Sequence, residues 1–229
     1  MAGLLVDWKL AAATGVRLVP AGTRLGLAET VVVVSDLERL ARRADEHVAA
    51  VTGLDAAVRA GAGRSTTSVV DRREWIEGNV ESFRALVEPV LASVLDKRGG
   101  ALPGPWATAV GSRAAGVEVG ALLSYLATRV LGQFELLGPP PQERAAAGRL
   151  TLVAPNILAA ERGMGVNPQD FRLWVCLHEV THRTQFATAP WLHDHLQSLL
   201  RDYVMASDLD PAAYLAALAA KVDRLVREA

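Results

Sequence analysis

The sequence points to a mainly α-helical domain with one small β-hairpin just ahead of its most distinctive helix. Three observations carry this. Apolar residues recur at helical spacing through most of the chain. Residues that cap or break helices punctuate those runs. Two short β-prone runs, Gln133–Leu137 and Arg149–Val153, flank the turn-rich GPPPQERAAAG. With 229 residues, 51% of them hydrophobic, the chain can bury a sizeable core. The expectation is a single domain over 1–229, with an N-terminal helical part, 1–100, and a second part, 101–229, that carries the distinctive helix.

Val6–Leu18 reads as a short amphipathic helix that ends before Pro20. Leu25–Thr52 follows, with Leu37, Leu40, Ala41, Ala44, Val48 and Val51 on one face and Gly53 as a stop. The Val31–Val34 run could be a strand, but its flanks continue the helical period. His47 lies beside Asp45 and Glu46 and reads as a solvated surface residue. Gly61–Ser68, GAGRSTTS, reads as a flexible polar linker, because it lacks the ending that a phosphate loop needs.

Asp71 is expected to cap a helix through about Leu95, with Ile76, Val80, Phe83, Val87, Val90 and Val94 inward and Pro89 as a kink. Trp106–Leu131 is a helix rich in Ala and Gly. Its small residues invite close approach by a neighbour, expected to be the distinctive helix. The hairpin comes next. It either covers the core or offers an edge to an extended peptide. Asn156–Arg162 is a helical turn broken by Gly163 and Gly165. Trp191–Val204 and Pro211–Arg227 close the chain as helices.

The distinctive helix starts at Asn167-Pro168-Gln169-Asp170, with Asn as cap, Pro in the first turn and an acid three after the cap. It is expected to run to about Ala187. Phe171, Leu173, Trp174, Val175, Cys176 and Leu177 are apolar around almost the whole circumference, which predicts a buried helix. Within it stand His178, Glu179 and His182, the pattern H-E-x-x-H. Residues four apart share a helix face about 6 Å apart along the axis. Two such imidazoles can grip one Zn²⁺, and Glu179 can reach a water on the same ion. The plain alternative is a pair of histidines that only hydrogen-bond in the core.

A catalytic zinc needs a third protein ligand. Met-turn peptidases place a histidine six residues after the second one, where this chain has Thr188. If 187–190 is a tight turn between antiparallel helices, His195 falls roughly opposite His182, where it could complete the site as the first candidate for the third position or hydrogen-bond to a ligand; plain surface exposure is the other ordinary reading. His193, Asp194, Asp202 and Asp208 are weaker ones. Cys176, the one cysteine, reads as an inert core thiol and fits a reducing compartment.

A net charge of −1 gives no electrostatic case for nucleic acid. The longest aliphatic run is too short to span a membrane, and the N-terminus does not read as a secretory signal. A cytoplasmic protein is expected.

The run LVAPNILAAERGMGVNPQDFRLWVCLHEVTHRTQFATAPWLHDHL resembles an actinobacterial zincin-like metallopeptidase family associated with deazaflavin-coenzyme biosynthesis. VDWKLAAATGVRLVP and VVDRREWIEGNVESF are similar to it too, so the resemblance spans essentially the whole chain. It implies a zincin-like helical fold, His178 and His182 as metal ligands and Glu179 as the catalytic glutamate. Members of the family continue further, into a Glu-Gly-His-Ala-type motif that looks like a glutamate ligand. This sequence stops at Ala229 without it. The chain is then a fragment, or has lost that ligand, or uses His195 instead. The expected function is zinc-dependent hydrolysis of a peptide or related amide. The alternative is a non-catalytic helical module with a degenerate zinc site.

Overall fold

A computed structural model describes residues 5–97, 99, 102–134, 148–206 and 210–228. Among them are nine helices and three strands, a mainly α chain with a small sheet. None of the described helices is long and apolar enough to cross a membrane. The chain divides into two compact units built from interleaved segments.

One unit comprises Pro20–Trp75 and Leu126–Asp194. Its first helix, α2 (Leu27–Thr52), follows α1 (Trp8–Leu18) of the other unit. The start of α2 is satisfied by the Glu29 carboxylate, which accepts from the Gly26 N–H at 3.1 Å. It stops at Gly53, whose φ of 68° is the left-handed conformation that glycine adopts without strain. The expected stripe is buried from Leu37 through Val48, but Val51 points outward, 86% exposed. The Val31–Val34 run is helical, and His47 is exposed, as expected.

Residues 61–68 are not a linker. Gly61 to Arg64 close a short helix, α3 (Asp55–Arg64), and Thr66–Val70 form strand β1. The β-branched Thr and Val there suit a pleated strand. The partner of β1 is distant in sequence: it pairs in parallel with β3 (Arg149–Val153), Thr66 opposite Arg149 and Val70 opposite Val153. On the other side β3 pairs antiparallel with β2 (Gly132–Phe134), so the order is β1-β3-β2. The expected pairing of the 133 and 149 segments is therefore present; residues 135–147 lie outside the described part.

After β3 come α6 (Ala154–Met164) and α7 (Pro168–Thr188). Helix α6 runs through Gly163, where a break was expected, and ends at Gly165 with φ 63°. Leu37, Leu40, Leu150, Leu152, Ile157, Val175, Cys176 and Val180 form one core. Each fully buried large side chain contributes about 2 kcal/mol of transfer free energy.

The other unit holds α1, most of α4 (Arg72–Lys97) and α5 (Pro105–Ala127), α8 (Trp191–Ala206) from His195 onward, and α9 (Pro211–Glu228). Asp7 caps α1 by accepting from Leu10 N–H, and Asp71 caps α4 by accepting from Arg73 and Glu74 N–H. Pro89 lies inside α4. The small residues of α5 do allow close approach, but to α1 and α9 instead of the expected α7. A Cβ at Gly111 would fall 2.5 Å from the Leu215 carbonyl oxygen, and one at Gly120 2.5 Å from that of Ala11.

Candidate active site

Helix α7 carries the site, and its start is set locally. The Asn167 side chain accepts from the N–H groups of Gln169 at 2.9 Å and Asp170 at 3.3 Å, and Pro168 occupies the first turn. Its inward face is Val175, Cys176, Glu179, Val180, Arg183 and Thr184. The expected burial around the whole circumference is not what forms. Trp174 is 56% exposed, and His178 and Gln185 are exposed too. Apolar composition shows that a helix can be buried, not which of its aromatic residues is left outside.

The open side carries a row of rings. Phe171 and Trp174 stack at 5.9 Å between centroids. Trp174 and His178 follow at 6.0 Å, and His178 and His182 at 4.7 Å, edge to face. The Nε2 atoms of His178 and His182 face each other at 3.2 Å. Two nitrogens held by one tetrahedral ion at roughly 2.0–2.1 Å stand about 3.3 Å apart. The imidazole pair therefore fits a shared zinc ion in donor type and spacing. His182 Nδ1 lies 3.0 Å from Gln185 Oε1. That oxygen can only accept, so Nδ1 carries the proton and Nε2 presents its lone pair toward His178. Gln185 was not singled out from the sequence, although its place three residues after His182 was the available signal.

Glu179 sits between the two histidines in sequence and on the inward flank in space. It is only 6% exposed. Burial pushes its carboxyl up to about 7, against the lowering effect of His182 and of a hydrogen bond donated by the Phe134 backbone N–H. The carboxylate thus lies within electrostatic reach of the imidazole pair. Strand β2 is held against α7 at this point, with the Phe134 and Phe186 rings 6.2 Å apart.

Two ion-pair systems fix α7 on its neighbours, and neither was legible in the sequence. Arg172 forks onto Glu161 of α6, Nε to Oε2 at 2.9 Å and Nη2 to Oε1 at 2.6 Å, and its Nη1 reaches Asp36 of α2 at 3.1 Å. Arg183, next to His182 and 3% exposed, pairs with Asp45 of α2. Burial raises the Asp45 carboxyl overall, although Arg183 pulls it down. Together these pairs hold the rotation of α7 about its own axis, and so the direction of its histidines.

His195 stands on α8, where that helix passes into the other unit, and is exposed. Asp194 and Asp202 are exposed positions of the same helix. The side chain of His193 and the whole of Asp208 lie outside the described residues. Among the described residues, no group of three or more His, Cys, Asp or Glu stands together as a metal site. Cys176 is buried, and burial first of all pushes its thiol up to about 12, in keeping with a core role.

None of the curated proteins matches the chain. A solved structure does: the crystal structure of "a putative hydrolase with a novel fold from Chloroflexus aurantiacus", 30% identical, with a TM-score of 0.64 over 88% of this chain. The chain spans 60% of that protein's length. The model of the family described as "Zincin-like metallopeptidase" matches residues 6–228, nearly the whole sequence. The chain belongs to the zincin-like metallopeptidase family.

Proposed function

We propose that the protein is a zinc-dependent hydrolase of peptides or related amides. The observation that carries this is the convergence of His178 and His182 Nε2 at 3.2 Å beside the buried carboxyl of Glu179. His178 and His182 would hold the ion. A bound zinc supplies Lewis acidity, which polarises a carbonyl and acidifies water.

The chain's own residues do the rest. Glu179 takes the proton from the attacking water and returns it to the leaving amine nitrogen as the C–N bond breaks. Its dry surroundings and the Phe134 N–H keep the carboxylate from swinging into solvent. Gln185 keeps His182 in the tautomer whose Nε2 is a ligand. The exposed Trp174, one turn before His178, gives the open side an apolar wall.

The test is a peptide library assayed with and without chelator. Turnover should vanish on chelation, return with Zn²⁺, and be lost in Glu179→Gln with zinc content unchanged. A Glu179→Gln protein as active as wild type would remove Glu179 from the mechanism. Zinc-replete protein with no turnover on any peptide or amide would leave a non-catalytic helical module.

A further inference from the structure

Strand β2 meets Glu179 through a residue that has no side chain. In the antiparallel ladder Val153 N–H donates to the Leu131 carbonyl at 2.8 Å, and Gln133 lies opposite Thr151. Residues 131 and 133 therefore spend their backbone groups on β3, and those of Gly132 and Phe134 point to the other edge. That edge faces α7. The Phe134 N–H is already taken by the Glu179 carboxylate. A Cβ at Gly132 would fall 2.7 Å from Glu179 Cγ, 2.9 Å from Oε1 and 3.0 Å from Cδ, and its three nearest neighbours all belong to that one side chain.

We propose that Gly132 is a positioning residue for Glu179: its missing side chain is the space in which the carboxylate is seated. The proposal rests on the reading of Glu179 as the proton carrier. The strand cannot yield, since it is tied by the ladder to β3, by the Phe134–Phe186 ring contact and by Trp75 Nε1, which donates to Gln133 Oε1 at 2.9 Å. The Glu179 side chain can. Any residue larger than glycine at 132 pushes the carboxylate off the Phe134 amide while leaving both imidazoles in place.

A double-mutant cycle on the metal-free chain tests this with Gly132→Ala, Glu179→Ala and the pair. In Gly132→Ala, and likewise in Glu179→Ala, the Phe134 amide resonance moves and its hydrogen exchange quickens by at least about tenfold, the size of one lost charge-assisted hydrogen bond. Gly132→Ala lowers Tm by several degrees beside Glu179, and by less than about 1 °C once residue 179 is alanine and the overpacking is relieved. A Gly132→Ala protein that folds only in the Glu179→Ala background also supports the seat. An equal Tm loss in both backgrounds, failure to fold in both, or an unmoved Phe134 amide in Gly132→Ala overturns it. Zinc titration of the same proteins separates the two ideas. Gly132→Ala should bind zinc within about twofold of wild type. A wild-type chain that binds none refutes the hydrolase reading, while the coupling between residues 132 and 179 still decides whether the glycine seats the carboxylate.

Discussion

Replacing Glu179 with glutamine should make the metal-free protein more stable, and only above mildly acidic pH. The Glu179 carboxyl is lifted from 4.5 to about 7, mainly by burial. An acid whose folded value is raised binds protons more tightly folded than unfolded. Between 4.5 and about 7 the unfolded chain ionises first, so stability falls as pH rises through that window and is flat above it. At about 1.36 kcal/mol for each tenfold, the loss comes to about 3 kcal/mol. Glutamine keeps the shape and an oxygen for the Phe134 N–H, but has no charge to strand in the core. For a chain of this length that is a gain of about 6–12 °C in Tm at about pH 8, shrinking toward zero near pH 4.5. The assay is thermal unfolding of both proteins in chelator from about pH 4.5 to about pH 8. The two proteins differ at residue 179 alone, so the difference between the curves isolates that side chain. Parallel curves, or a glutamine variant less stable at the alkaline end, would refute the claim that this carboxyl is buried against its charge.

Two further outcomes follow from the groups around the helix. Arg172→Leu strands the Glu161 carboxylate and takes one of its cationic partners from Asp36, which keeps Arg39, and should cost about 3–5 kcal/mol in urea unfolding at about pH 7. For Asp36, burial raises the carboxyl but the hydrogen bonds from Arg39, Arg172 and Gln169 outweigh it, so the net value is lowered. Its share of stability is present above 3.8 and lost as pH falls below that, and the Arg172→Leu penalty should shrink there. Gln185→Leu frees the His182 tautomer and should weaken zinc binding by about 10-fold or more, read by competition with a chromophoric chelator, with Tm of the metal-free protein nearly unchanged.

The parts of this molecule that were legible in the sequence are those whose causes are local. Asp71 and Asn167 each cap the helix that follows within three residues, and Gly53 and Gly165 end helices through their own backbone. The H-E-x-x-H spacing fixes which side chains share a face, whatever lies outside the helix. What was not legible depends on partners far along the chain. Strand β1 has too few residues to announce itself, and its partner Arg149–Val153 lies about 80 residues away. Arg172 and Arg183 look like any polar helix positions until α2 is laid beside them. Trp174 illustrates the same limit from the other side. Its apolarity suggested core, and only the packing shows that α7 turns it outward, beside His178.

The measurement on which the whole reading turns is zinc binding by the chain itself, by calorimetric titration and X-ray absorption on wild type, His178→Ala and His182→Ala. One ion per chain, at least two imidazole nitrogens in its coordination shell, and loss of binding in either variant are the expected results. Wild-type protein that takes up no zinc in excess metal, or that binds it equally well without either histidine, would contradict it.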